Sequence, residues 1–368
     1  MDYSIRDIAK MAGVSIGTVS RVLNNAGNVD ETIRSRTLEI IRSVNYKHTS
    51  RGRRTGKAGV ATSGGKTRTL ALLSPGMSSE WKENDLWASY FSGIEQACQE
   101  RRYQLMIYMA DSAETEEEIL KDVLRKSDGV LLKLEQNFPD YVKKLIDRLP
   151  AAGFGARPCG EALPQVVLNN TLAGKSITER LIGLGHRRIA FLNHVPGNSI
   201  FQERACGYLE TMKEYGLFDP ALLLEKKDGE VSKGTVKPET LPPRFPEEAR
   251  YLSELTDPPT AVIVANDWGA LGFMHSCAEM RIAIPETFSV AGIDDAGSWT
   301  KFCVPSLATV AMPFGESARF ATRILCDMIE GIGTYRRNTE SIVYLPGEVK
   351  IRTSVCSAGK KETLREAE

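Results

Sequence analysis

Metal ligands and paired thiols are scarce in this sequence. Its 368 residues include four His and seven Cys (Cys98, Cys159, Cys206, Cys277, Cys303, Cys326, Cys356), with no CxxC and no Cys/His cluster. That set offers neither a metal centre nor a disulfide framework, and reduced, mostly buried thiols are expected. No run of about 18 apolar residues occurs, so no segment is expected to span a membrane. The opening MDYSIRDIAKMAG carries charge where an export signal needs an apolar core, which points to a cytoplasmic chain. Paired-carboxylate spacings and nucleophile elbows are also missing, so neither catalysis nor a cofactor is expected. Gly64-Gly65-Lys66-Thr67 is no phosphate loop, because Gly59 lies one residue too far away for GxxxxGK[ST] and no strong strand precedes it.

Net charge is also lacking, but the balance is uneven along the chain. Residues 1–68 hold 13 Lys/Arg against 5 Asp/Glu, and the remainder holds 34 against 42. A basic head on an acidic body implies a polyanionic partner for the head alone.

Residues 1–46 read as three short amphipathic helices. Ile5, Ile8, Ala9 and Ala12 form one stripe, ended at Gly13. Ser15 is the expected N-cap of a second helix with Val19, Val22 and Leu23 inward. Asp30 is the expected cap of a third, whose stripe is Ile33, Thr37, Ile40, Ile41 and Val44. Residues 47–68 contain five glycines and no acid, and read as a basic tether. Residues 69–356 alternate short apolar runs (TLALL, LMIYM, GVLLK, AAGFG, VVL, IAFL, AVIVA, SVAGI) with helical segments. That alternation predicts parallel α/β sheets covered on both faces, and the length predicts two lobes. Residues 225–246 read as an irregular insertion and 357–368 as a polar tail.

The run IRDIAKMAGVSIGTVSRVLNN places a Gly turn between two helices, the second beginning with short residues able to enter a major groove. Ser15, Thr18 and Ser20 can bond phosphates, and Arg21 can reach a phosphate or a guanine edge. A generic three-helix bundle serving protein contacts is the plainer alternative. Asp7, Ile8, Ala9, Ala12 through Ser15 and Thr18 through Asn24 match D-I-A-x-x-A-G-V-S-x-x-T-V-S-R-V-L-N. The run thereby resembles the N-terminal motif of the lactose/galactose-repressor (LacI/GalR-type) family. The resemblance implies that Ile16, Gly17 and Arg21 face the bases of double-stranded DNA, with Asn24 in the same DNA-binding segment. Gly17 departs from the pattern, because without a side chain it passes discrimination to Ile16 and Arg21.

The family usually continues into a hinge helix that pushes a Leu into the minor groove. Here that position falls on Thr55 in a glycine-rich stretch, which argues against a stable hinge helix. Arg51-Gly52-Arg53-Arg54 stands there instead. Either Arg51 and Arg53 enter an A·T-rich minor groove in the manner of an AT-hook, or the tether is solvated and adds only nonspecific phosphate contacts.

Later segments, among them Arg204-Ala205-Cys206-Gly207-Tyr208, Ala265-Asn266-Asp267 and Ser289-Val290-Ala291-Gly292-Ile293-Asp294-Asp295, resemble the family's ligand-binding half, which is similar to periplasmic sugar-binding proteins. Asn266 and Asp294 follow apolar strands, where parallel sheets leave crevices. With Arg204 they suit sugar hydroxyls. By family position, Leu86 and Trp87 line the cleft mouth, Trp87 as the stacking ring. Plainer roles stand beside these: Asn266 and Asp267 as helix caps, Arg204 in a surface ion pair, Asp294 and Asp295 closing a turn, and His186-Arg187-Arg188 serving a helix dipole. Asn169 replaces the family's usual Asp, with no role assigned.

The expected molecule is an all-α helix-turn-helix unit joined to an α/β two-lobed, periplasmic-binding-protein-like sensor with parallel sheets. The resemblance implies a homodimeric, ligand-controlled transcriptional regulator on a palindromic operator, with repression the default and a carbohydrate the expected effector. A sugar receptor without gene-regulatory role is the alternative, but it has no use for residues 1–68.

Overall fold

A computed structural model describes residues 5–23, 29–43, 67–74, 85–108, 113–134, 138–225 and 242–359. The chain divides into two units between Gly64 and Gly65.

The first unit contains α1 (Ile5–Ala12), α2 (Ile16–Leu23) and α3 (Glu31–Ser43). Gly13, at φ 66°, makes the turn between α1 and α2, and the Val14 amide bonds back to the Ala9 carbonyl at 3.0 Å. Ile8, Ala9 and Val19 are the buried centre, with Val14, Ile40 and Ile41 packed around them. Asp30 caps α3 through the amides of Thr32 and Ile33. Thr37 lies inward as expected, its hydroxyl satisfied by the Ile33 carbonyl at 2.7 Å. Ile33 itself is 39% exposed, since the first turn of α3 overshoots so small a core.

The second unit carries two parallel sheets. The first sheet has the order β11-β5-β4-β3-β1-β2, from β1 (Thr69–Leu73), β2 (Gln104–Tyr108), β3 (Gly129–Lys133), β4 (Ala151–Gly155), β5 (Pro164–Leu168) and β11 (Ser341–Leu345). The second has the order β7-β6-β8-β9, from β6 (Ile189–Asn193), β7 (Leu223–Glu225), β8 (Ala261–Val264) and β9 (Ser289–Ala291). A separate antiparallel pair joins β10 (Thr309–Ala311) and β12 (Glu348–Lys350). Central strands such as β1, β4 and β6 are buried at every position, whereas the edge strands β2 and β11 are partly exposed along their length, as helices on both faces require of the middle only.

The chain builds five strands of the first sheet, then the second sheet, and returns to add β11. On that return, α12 (Phe314–Glu330) packs along α4 (Asp85–Arg101). A Cβ on Gly93 would lie 1.9 Å from the Gly315 carbonyl oxygen, so these two backbones touch. In the second lobe α7 (Asn170–Gly183) and α8 (Ser199–Glu214) meet the same way. A Cβ on Gly174 would fall 2.0 Å from the Arg204 oxygen, and one on Gly207 2.0 Å from the Thr171 oxygen. Two more helices, α9 (Pro246–Glu254) and α10 (Asp267–Glu279), cover the far side of the second sheet, where Phe245, Leu252, Phe273 and Phe288 are buried.

Thr67 and Arg68, at the end of the sequence-defined tether, are fixed to this unit. Asp128 accepts the Thr67 amide at 2.8 Å and the Arg68 amide at 2.7 Å, and Arg68 pairs with Glu330. Among the described residues no helix is long and apolar enough to cross a membrane, and no group of His, Cys, Asp and Glu could hold a metal ion.

Candidate functional site

The reader is α2. Ser15 is its cap, because its Oγ accepts the Thr18 amide at 3.1 Å and lies 2.9 Å from the Thr18 hydroxyl. This closure fixes the first turn, and satisfies donors that would otherwise be orphaned. Successive helix residues step by about 100°, so the buried Val19 and Val22 define an inner face nearly opposite Gly17. The outer face carries Ile16, 45% exposed, with Gly17 and Arg21 also exposed. The three positions assigned to base reading therefore share one open surface. Ser20 falls within α2, but its side chain, with the whole of Asn24, Arg51 and Arg53, lies outside the described residues.

The second site lies where strand order reverses. In the sheet β7-β6-β8-β9 the connections leave β6 and β8 in opposite directions, opening a crevice at their carboxyl ends. Asn193 ends β6 and Asn266 follows β8. Arg204, 2% exposed, reaches this point from α8. Its Nη1 donates to the Ala265 carbonyl at 2.8 Å, its Nη2 to Asp294 Oδ1 at 2.7 Å, and its Nε to Asn170 Oδ1 at 3.2 Å. The guanidinium plane lies over the Phe201 ring, 5.7 Å from its centroid. Arg204 is thus no surface ion pair.

Asp294 sits in a strained turn, with φ 147° at Asp294 and 50° at Asp295. Strain of this kind persists only where surroundings over-determine it, and here they do. The Asp294 amide donates to the Val310 carbonyl and its carbonyl accepts from Met312. The Asp295 amide donates to Asp267 Oδ2 at 2.6 Å, and its carboxylate takes Thr300 at 2.7 Å and Arg352 at 2.8 Å. Burial alone would raise Asp295, but the Arg352 and Thr300 bonds hold it below the ordinary carboxylate value. Asp267, 1% exposed, lacks such a cation. Burial first, then the charge of Asp294, push its carboxyl well above the ordinary value, against the bonds from Thr309 and the Asp295 amide.

The remaining sequence candidates are placed as follows. Asn266 caps α10, its Oδ1 accepting the Gly269 amide at 2.8 Å. Asp267 instead braces the 294–295 turn. Leu86 is half-buried, and Trp87 is 9% exposed, its ring against Tyr90 and Phe91 at 5.8 and 5.4 Å. Trp87 is therefore packed in an aromatic layer that continues through Tyr90 to Phe154 and Phe314. An open cleft of about 560 Å3 lies beside it, lined by Ser89, Ser92 and Gln96 of α4, Asp295 and Ser298, and Glu316 of α12. None of the five sequence candidates lines that cleft, though Trp87 and Asp294 are each one residue from it.

Two residues went unassigned from sequence. Asn170, 1% exposed, orients Arg204 while donating to the Ala156 carbonyl at 2.8 Å and Glu203 at 3.3 Å; its neighbour Asn169 caps α7. Asn193 is fully buried at the switch point and its Nδ2 has no partner. Its place at the end of IAFLN was the available signal. By contrast His186 and its neighbours are structural. His186 bridges Thr260 and the Cys356 carbonyl, Arg187 donates to the Ile182 carbonyl of α7, and Arg188 pairs with Asp219.

Comparison with known proteins accounts for both units. Residues 4–48 match the family model described as bacterial regulatory proteins, lacI family, and residues 178–355 match a periplasmic binding protein-like domain. Catabolite control protein A of Priestia megaterium is 26% identical over 362 residues, covering 96% of this chain and 99% of that protein. The HTH-type transcriptional repressor PurR of Mannheimia succiniciproducens is 27% identical over 360 residues, covering 96% and 98%. A solved structure of the transcriptional regulator CelR in complex with cellobiose shares the fold, with a TM-score of 0.61 and 24% identity, over 96% of this chain and all of that one. The helix-turn-helix unit, the two parallel sheets and these relatives agree: the chain belongs to the LacI family of DNA-binding transcriptional regulators.

Proposed function

We propose that this regulator represses transcription from a palindromic operator as a homodimer, and that a small carbohydrate bound between its two lobes sets its occupancy of DNA. The observation that carries the effector reading is the buried Arg204–Asp294 pair at the switch point, with Asn170 aligning the guanidinium. A cation and a carboxylate fixed at a crevice, with Asn193 and Asn266 beside them, give the alternating donors and acceptors that vicinal hydroxyls bond. The hydroxyl- and carboxylate-lined cleft along α4 and the cellobiose bound by the structural neighbour support the same class.

The homodimer follows from the reader's size. An eight-residue helix covers only a few base pairs, and two copies reading half-sites about one helical turn apart give the length an operator needs. Phe302 and Val304, 80% and 94% exposed, are apolar anchors available to a second copy, and single-particle mass measurement of Phe302→Ser against the parent checks this. The effector is tested by isothermal titration of the full chain with mono- and disaccharides. Saturable binding lost in Arg204→Lys supports the proposal. Absence of binding across sugars, with binding of nucleosides or other metabolites, would replace the ligand class and leave the DNA reading intact.

A further inference from the structure

Gly17 raises a question that the fold leaves open. Glycine weakens a helix relative to alanine, and four glycines in other helices of the described residues have an internal reason. Gly93, Gly174, Gly207 and Gly272 each lie where an added Cβ would meet a backbone oxygen at 1.9–2.0 Å. Among the described residues an added Cβ at Gly17 would meet just the Ser15 Oγ, at an ordinary 3.6 Å, and no positive φ is required there. The protein interior has room for a side chain at this position. The space at Gly17 is therefore open to a group from outside the protein.

Its surroundings indicate what. Gly17 is central to the exposed face of α2, flanked by Ile16 on one side and Arg21 on the other. The face offers bare backbone at Gly17, an exposed aliphatic side chain at Ile16 and a cation at Arg21. The basic balance of residues 1–68 commits its occupant to DNA. In the major groove one group both protrudes from a base edge and is apolar, the C5-methyl of thymine.

We propose that Gly17 and Ile16 form a socket for a thymine methyl group, with Arg21 pairing to a base or phosphate beside it. This rests on the DNA-reading function above and adds the base it selects. Glycine is then a specificity-determining residue through the space it leaves, and an alanine at position 17 would occupy the place of the methyl.

The test uses the full chain and duplexes recovered by selection from a randomised pool. Each half-site is expected to carry a thymine at the α2 position, and replacing it with deoxyuridine, which removes only the methyl, should weaken binding about four- to tenfold. Gly17→Ala should bind the thymine duplex at least about tenfold more weakly and be nearly indifferent to the deoxyuridine exchange. The nucleotide exchange is made on the unaltered protein, so a misfolded variant cannot obscure the result. Deoxyuridine duplexes bound as tightly as thymine duplexes, or Gly17→Ala binding both as the parent does, would overturn the socket. Failure to recover any preferred duplex would overturn the DNA-reading function instead.

Discussion

Arg204 Nη2 and Asp294 Oδ1 lie 2.7 Å apart, with their side chains 3% and 17% exposed, and the contact joins α8 to the turn after β9. A buried pair of this kind costs much more to break than it contributes by being present, since the surviving partner is left charged and dry. Arg204→Ala is expected to destabilise the sensor unit by about 3–5 kcal/mol in urea unfolding. Arg204→Met combined with Asp294→Leu should recover a good part of that loss while abolishing effector binding. A double variant no more stable than the single would show that the charge pair is not what the site depends on.

Asp267 sets a pH dependence of definite sign. Its folded-state value is raised by burial and by Asp294, so between the ordinary carboxylate value of about 4 and the raised one the folded state holds a proton that the unfolded state has lost. Stability from this group is therefore complete at acid pH and declines as pH rises through that window, by at most about 1.4 kcal/mol per pH unit. Asp267→Asn, which can still accept the Asp295 amide while donating to Thr309, should flatten the decline. Urea midpoints from pH 5 to 8 measure it; an unchanged slope in the variant would assign the dependence to other groups.

Gly207→Ala places a methyl 2.0 Å from the Thr171 oxygen, which α7 and α8 can relieve only by moving apart. A loss of about 1–3 kcal/mol is expected. Because Arg204 sits on the same helix, the shift should also weaken effector binding. Thermal unfolding with and without a bound sugar reads both.

The tether bears on coupling. Residues 47–66 are rich in glycine and free of acid, a composition that disfavours a helix able to transmit lobe movement, so effector should change operator affinity by less than about a hundredfold. Arg51→Ala with Arg53→Ala separates the two readings of that segment. Selective loss on A·T-rich operator centres favours minor-groove arginines, and equal loss on G·C-rich centres favours a solvated tether. Anisotropy titrations on both duplexes at fixed salt decide.

Legibility in the sequence followed the strength of local pattern. The runs at β1, β3 and β4 were readable because central parallel strands are apolar at nearly every position, and GVLLK and AAGFG coincide with Gly129–Lys133 and Ala151–Gly155. β11 escaped because an edge strand with alternating exposure, SIVYL, carries half the signal, and β7, β10 and β12 have three residues each. Ser15 and Asp30 were found as caps from composition and spacing alone. The Arg204–Asp294 contact was beyond reach, because 90 residues separate the partners and only the folded crossover joins them. The aromatic layer around Trp87 was hidden for the same reason: Tyr90, Phe154 and Phe314 converge from α4, β4 and α12. Asn169 stood out in the sequence, whereas its neighbour Asn170 gave no signal until the fold set Arg204 beside it.

The most direct test of the account is selection of the full-length protein against a randomised duplex pool, followed by anisotropy binding of the recovered sequences with and without sugar. A palindrome whose half-sites lie about one helical turn apart, bound with an affinity that a sugar alters, is the predicted result. Weak, salt-labile binding without a preferred sequence, unaffected by any sugar, would contradict it.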